Sequence, residues 1–394
     1  RVLLHPAVLA CTGAGCSAAA AAARARLPKT VPARLLMQPL FGALPTSMEA
    51  GPEPCAALLG LVADAATGME ASVAATHHEA IFAFLLKALD VRHAAPPALK
   101  GHEHVVEQQA VSALVALTLK LSEAKFKPLF LRLVEWGSSS QASGLGRTIA
   151  LLSASAALAQ KLRSVFVPYY KFLLDVCVRL LSSATGGAAT PAKKKQKKAA
   201  AGGTEGEEAA IEQWVARGKA VRALHRCFLY DTVGWLDQDK VDKVLSPLVA
   251  QLSVDVPASA APAVAAQCAD SELDGLVTLG SRAPRDTYGV STVAALVQLA
   301  MATNSDVHWK PLNHKVLMAT RSPSARTRCL ALEVVASLVD RLREEYMVLL
   351  PETLPFLAEL LEDVETAVES RAQDILKQLE EISGEKLDEY LKTG

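Results

Sequence analysis

Between Trp309 and Leu391 three helix patterns follow one another with clear boundaries, and no other stretch of the 394 residues restricts the fold as strongly. Ala331, Val335, Leu338 and Leu342 are spaced four, three and four residues apart, which puts them on one side of a helix. Leu350, Leu354, Leu357 and Leu361 repeat that spacing, and Val368, Ala372, Ile375, Leu379 and Ile382 carry it through a third segment. The links are short, Arg343 to Tyr346 and then Glu362 to Glu365, so sequence neighbours must pack as antiparallel hairpins. A hairpin of this size leaves apolar surface open unless it stacks on another like it. The pattern therefore predicts an all-α protein, an α-solenoid of stacked antiparallel helix pairs.

Composition agrees with close helix contact. Hydrophobic residues make up 51% of the chain, largely through alanine, while aromatics are only 5%. Lys plus Arg is 41 and Asp plus Glu is 41, so no global field draws the chain to a polyanion and any such contact must be local. The seven cysteines, Cys11, Cys16, Cys55, Cys177, Cys227, Cys268 and Cys329, form no CxxC pair and read as reduced, buried small residues of an intracellular protein. No uncharged apolar run reaches the roughly eighteen residues of a membrane span, so no membrane partner is expected. Arg1 is not an initiator, which reads as a fragment with any targeting sequence out of view. Val2 to Cys11 ends in Val-Leu-Ala-Cys, a faint likeness to a lipoprotein signal of the sort an Ala-rich fragment produces by chance.

Taken in order, residues 1–100 form an Ala/Pro-rich start with a few helices. Pro28, Pro32, Pro39 and Pro45 allow at most one short helix, Ala33 to Leu44, in its first half, and two helical patterns follow from Pro54 to Asp90. Residues 101–182 read as helix pairs: Val106, Ala110, Ala113, Leu117 and Leu121 precede Phe126 to Trp136, and Ile149 to Leu162 precedes a run to Leu181. Residues 183–208 read as a basic flexible insert with almost no large apolar side chain. Residues 209–394 return to helix pairs with terminal capping helices, less regular over 257–285. Pro128 to Pro168 is 40 residues, Pro168 to Pro247 is 79 and Pro311 to Pro351 is 40, the period of HEAT-type repeats. Each proline is expected in the first turn of the second helix of a pair, where its missing N–H costs no hydrogen bond.

Signals of catalysis are poor. His77-His78 and His102 with His104 lack both the helical spacing of a zinc pair and nearby cysteines, so no metal site is expected. Gly13, Gly15 and Ala18 match the spacing of a dinucleotide loop, but no βαβ pattern follows and a Gly/Ala-rich loop explains them. Neither a GxSxG elbow nor a GxxxxGK[ST] loop occurs; Ser138 to Ser140 reads as a polar turn, and Glu359, Glu362, Asp363 and Glu365 as a solvated rim. No cofactor, small-molecule substrate or catalytic residue is expected. The candidate contacts are with RNA: Lys193, Lys194, Lys195, Lys197 and Lys198, then Lys310, Arg326 and Arg328. For the last two the competing expectation is that arginines at the start of a helix pair tie adjacent repeats together.

Four stretches carry a family resemblance: Leu119 to Phe130 with Glu135-Trp136, Phe166-Val167-Pro168-Tyr169-Tyr170, Ala223 to Asp231, and Trp309-Lys310-Pro311-Leu312-Asn313. Leu349 to Asp363 and Leu387 to Leu391 add to them, and Pro32 to Leu36 and Ala88-Leu89-Asp90 match loosely. With these the chain resembles the C-terminal part of the large HEAT-repeat family among the U3 small-nucleolar-RNA-associated proteins of the small-subunit processome. The resemblance implies a non-catalytic scaffold in the nucleus and nucleolus, active in ribosome biogenesis on nascent pre-rRNA and in pre-18S processing, with a further link to rDNA transcription. It implies as partners other processome subunits, β-propeller proteins among them, and the U3 snoRNA-containing particle. The Ala-rich start and Lys193 to Lys198 have no counterpart in the family pattern. The rival reading, a peptide- or cargo-binding α-solenoid of a cytoplasmic or transport complex, requires a ladder of exposed Trp and Asn on successive helices. Trp136, Trp214, Trp235 and Trp309 instead occupy unrelated places in their repeats.

Overall fold

In the computed structural model the described residues are 22, 26–27, 30–94, 96–138, 144–183, 203–257, 267 and 286–387. Among them every regular element is helical and none is a strand. They fall into two compact units, Arg1–Leu162 and Arg163–Gly394.

The first unit contains α1 (Ala33–Ala50), α2 (Pro52–Gly68), α3 (Ala71–Leu89), α4 (Glu103–Thr118), α5 (Glu123–Ser138) and α6 (Gly146–Leu162). Helices α2, α4 and α6 pack in succession, α3 packs on α4 and α5, and α1 lies against α2 and α3. Alanine makes this possible: Ala65, Ala66, Ala110 and Ala113 are buried in α2 and α4, letting the axes approach closely. Gly137 does the same where α5 meets α6, since a Cβ there would lie 2.6 Å from that of Leu151. Helix α1 runs past the expected end at Leu44 to Ala50 and passes through Pro39 and Pro45, both exposed. A proline ring removes one helical hydrogen bond without ending a helix whose other face, Leu36, Met37, Leu40 and Leu44, is buried.

The second unit contains α7 (Leu174–Ser182), α8 (Gly203–Tyr230), α9 (Gln238–Val249), α10 (Thr287–Thr303), α11 (Asp306–Ala319), α12 (Ala325–Leu342), α13 (Leu350–Leu360) and α14 (Thr366–Ser383). Two layers result. One is α8, α10, α12 and α14, each packed on the next; the other is α7, α9, α11 and α13, packed likewise. Across the two layers α7 packs on α8, α10 on α11, α11 on α12 and α13 on α14. Caps set the boundaries: Asp237 accepts from Lys240 N–H at the start of α9, Asp286 from Gly289 N–H at α10, and Ser324 from Thr327 N–H at α12. Gly384 ends α14 in the left-handed conformation, φ 72°.

Most of the predicted stripes of α12 and α14 are buried, Ala331, Val335, Leu338, Leu342, Val368, Ala372, Ile375 and Leu379 among them, while Ile382 is half-buried. The stripe of α13 differs. Its buried line is Leu349, Thr353, Leu357 and Leu360, whereas Leu350, Leu354 and Leu361 are only half-buried. Proline placement also differs. Pro168 and Pro351 do lie in first turns, but Pro128, Pro247 and Pro311 lie deeper inside α5, α9 and α11. Helix α8 begins at Gly203, within the stretch read as insert, and α10 lies in the span read as helix pairs, although no single apolar stripe marks it. Gly13, Gly15, Ala18 and nearly all of 257–285 lie outside the described residues.

Candidate interaction surface

A stacked-helix scaffold can use its ionisable groups in two ways, turned inward as ties between repeats or outward toward partners. The two uses are separable here. Arg326 Nε donates to Asp286 at 2.6 Å and its Nη1 to the Leu252 carbonyl at 3.2 Å, tying α12 to the start of α10 and the turn after α9. Arg328 holds Asp363 at 2.8 Å, Arg321 holds Glu359 at 3.0 Å, and Arg371 holds Glu333 at 2.7 Å. The partners in these four ties lie 35 to 40 residues apart, one repeat. Arg326 and Arg328 are therefore inter-repeat ties, as the competing sequence expectation held. On the rim Glu359, Glu362 and Glu365 are exposed, as the sequence reading held, whereas the Asp363 side chain is largely covered in its tie to Arg328. In the first unit Arg147 grips both carboxylate oxygens of Asp90, at 2.7 and 2.8 Å, and Arg92 pairs with buried Glu107.

A buried polar cluster sits between α11, α13 and the turn joining α12 to α13. Tyr346 O–H donates to Asn313 Oδ1 at 3.1 Å, Asn313 Nδ2 donates to Thr353 Oγ1 at 3.2 Å and to Glu352 at 3.1 Å, and Thr353 donates to the Leu349 carbonyl at 3.0 Å. Burial pushes the Tyr346 hydroxyl well above the usual phenol range, against the hydrogen bond with Thr353. Asn313→Ala should lower the unfolding free energy by about 1 to 3 kcal/mol, because it removes the amide that accepts from Tyr346 and donates to Thr353 and Glu352, leaving the two buried hydroxyls only each other and the Leu349 carbonyl. Tyr346→Phe should cost less, about 0.5 to 1.5 kcal/mol, since Asn313 keeps its other bonds. Denaturant titration measures both, and equal costs would contradict this network.

Many other ionisable side chains face outward, Lys87, Lys127, Arg132, Lys161, Lys171 and Arg179 among them. Lys310 pairs with Asp306 one turn earlier on α11 and is about half exposed. His314 meets Glu352 at 2.8 Å beside a shallow groove of about 360 Å³ lined by Ser246, Val249, Ala250, His314, Lys315 and Met318. Lys193, Lys194, Lys195, Lys197 and Lys198 lie outside the described residues.

Among the described residues no group of three or more His, Cys, Asp and Glu is placed to hold a metal ion, and no helix is long and apolar enough to cross a membrane. Burial pushes the Cys55 and Cys177 thiols up to about 12, and burial also raises Cys227 and Cys329, so at neutral pH these four remain thiols. Nor do the tryptophans form an exposed ladder. Trp214 is buried and stacks on Tyr288 with ring centroids 5.4 Å apart, and buried Trp309 donates its indole N–H to the Ala300 carbonyl at 2.9 Å. Trp136 and Trp235 are half-buried.

Residues 73–236 match the family model described as BP28CT (NUC211) domain. An uncharacterized protein of Arabidopsis thaliana is 38% identical over 99% of this chain, which spans 17% of that protein. HEAT repeat-containing protein 1 of Danio rerio is 31% identical over 92% of the chain, which spans 16% of it. U3 small nucleolar RNA-associated protein 10 of Schizosaccharomyces pombe is 27% identical over 92% of the chain, which spans 19% of it. The chain thus corresponds to less than a fifth of the length of each of these three relatives. It carries a BP28CT (NUC211) domain, and it is a homologue of the proteins named HEAT repeat-containing protein 1 and U3 small nucleolar RNA-associated protein 10.

Proposed function

We propose that this chain is a structural segment of the small-subunit processome, acting in ribosome biogenesis in the nucleolus by docking and not by bond-making. The observation that carries the reading is the match to U3 small nucleolar RNA-associated protein 10 over 92% of the chain. The use of its ionisable groups supports it: the ion pairs on α12 and α14 tie repeat to repeat and do not converge on a cleft. In this reading the side faces of the helix pairs bind neighbouring processome subunits, β-propeller proteins among them. The scaffold supports assembly on nascent pre-rRNA and pre-18S processing, with a link to rDNA transcription. Lys193, Lys194, Lys195, Lys197 and Lys198 contact pre-rRNA, since clustered ammonium groups release counterions from phosphates wherever the partner strand lies.

Photo-crosslinking of the assembled particle tests the RNA contact. Crosslinked nucleotides should map to residues 193–198 and disappear when all five lysines are replaced by alanine. Crosslinks to protein alone at that segment would contradict the RNA contact. Lys195→Ala should leave thermal unfolding unchanged to within about 0.5 kcal/mol, as expected from a stretch of sequence with almost no large apolar residue. A larger loss of stability would show that the segment is part of the folded stack.

A further inference from the structure

The turn joining α11 to α12 carries Arg321-Ser322-Pro323-Ser324. The sequence holds three Ser-Pro or Thr-Pro pairs. Thr190-Pro191 lies outside the described residues, and Ser246-Pro247 is inside helix α9, whose backbone cannot take the extended form a kinase cleft requires. Ser322-Pro323 alone is a loop pair among the described residues, with Pro323 exposed and Ser322 half-buried. The surroundings of Ser322 are unusual for a surface turn. Arg328 Nη1 donates to the carbonyls of Ser322 at 2.9 Å and Pro323 at 3.1 Å, while the same guanidinium holds Asp363 at 2.8 Å. Arg321, next in the chain, holds Glu359 at 3.0 Å and lies over the Phe356 ring, 4.4 Å from its centroid. Both carboxylates belong to the following repeat, Glu359 in α13 and Asp363 in the turn before α14.

We propose that Ser322 is a phosphorylation site for a proline-directed protein kinase, and that the phosphate loosens the seam holding α13 and α14 to the repeat before them. In the transfer, Ser322 Oγ bonds to the γ-phosphorus of a kinase-bound nucleoside triphosphate. The bond from that phosphorus to the β,γ-bridging oxygen breaks, the nucleoside diphosphate leaves, and the hydroxyl proton passes to the kinase's general base. The product adds about −1.5 to −2 charges at neutral pH. That charge competes with Glu359 and Asp363 for Arg321 and Arg328, and it repels both carboxylates. One modification therefore acts on two ties of the same seam.

The test is to incubate the full-length protein with a proline-directed kinase and a nucleoside triphosphate, map the modified residues by mass spectrometry, and follow amide hydrogen exchange. Ser322 should be modified and Ser324 not, and Ser322→Ala should abolish the label in the turn while leaving Thr190 unaffected. Exchange across residues 350–383 should quicken about three- to tenfold on modification, with residues 203–249 unchanged. Label confined to Thr190 or Ser246 in the folded protein would overturn the site. Full label on Ser322 with unaltered exchange across 350–383 would overturn the coupling to the seam.

Discussion

Leu338→Ala and Leu357→Ala are each expected to lower the unfolding free energy by about 2 to 5 kcal/mol. Leu338 lies on the α12 seam and Leu357 on the α13 seam, 1% and 0% exposed. Truncation removes apolar burial, and the gap it leaves cannot close because stacked helices on both sides hold the walls apart. In an array of hairpins the loss also weakens coupling to the neighbouring repeats, so cooperativity should fall along with stability. Leu350→Ala and Leu361→Ala, on the half-buried side of α13, should cost clearly less. Denaturant titration of the four variants separates the two lines, and a cost under about 0.5 kcal/mol at both Leu338 and Leu357 would contradict the seam assignment.

Arg371→Ala should destabilise the chain at neutral pH by about 3 to 5 kcal/mol, the cost of stranding a buried partner charge. Arg371 meets Glu333 at 2.7 Å, and the Glu333 side chain is only 7% exposed. Burial raises the Glu333 carboxyl above the ordinary glutamate range, and the charge and hydrogen bond of Arg371 act to bring it down. The sign follows. An acid whose folded pKa is raised contributes most below its unfolded value, and that contribution is lost as pH rises through the folded value. Without Arg371 the folded value climbs further, so the penalty should be large near pH 8 and shrink toward pH 4 as Glu333 takes up a proton. Glu333→Gln in the Arg371→Ala background should remove that pH dependence. A penalty that stays constant between pH 4 and pH 8 would mean the pair is not an ionic tie.

The legibility of this fold depended on whether a helix has a polar face. Helix α14 does, so the spacing of Val368, Ala372 and Ile375 located its buried side; in α12 the spacing of Ala331, Val335 and Leu338 located only part of a wider buried surface that also takes in Leu330, Leu332, Val334 and Val339. Helix α10 has no such face. Tyr288, Val293, Leu296, Val297 and Leu299 are buried together with Ser291 and Thr292, so the apolar pattern has no period to detect. In α13 the error was one of register. Thr353 occupies the seam, and counting leucines skipped it because its hydroxyl is buried only by virtue of Asn313, Tyr346 and its own backbone turn. The ties were legible as residue types and not as pairs. Arg326 and Arg328 stood out in the sequence, but Asp286 and Asp363 lie a full repeat away, and only the stacking brings them together.

We propose that the stacked helices make this chain a docking segment of the ribosome-assembly machinery. Mass spectrometry and RNA sequencing of material copurified with the tagged full-length protein test it most directly. The account predicts small-subunit assembly factors, U3 small nucleolar RNA and pre-18S sequences. Recovery of transport receptors with their cargo, or of a protein set containing neither assembly factors nor pre-rRNA, would contradict it.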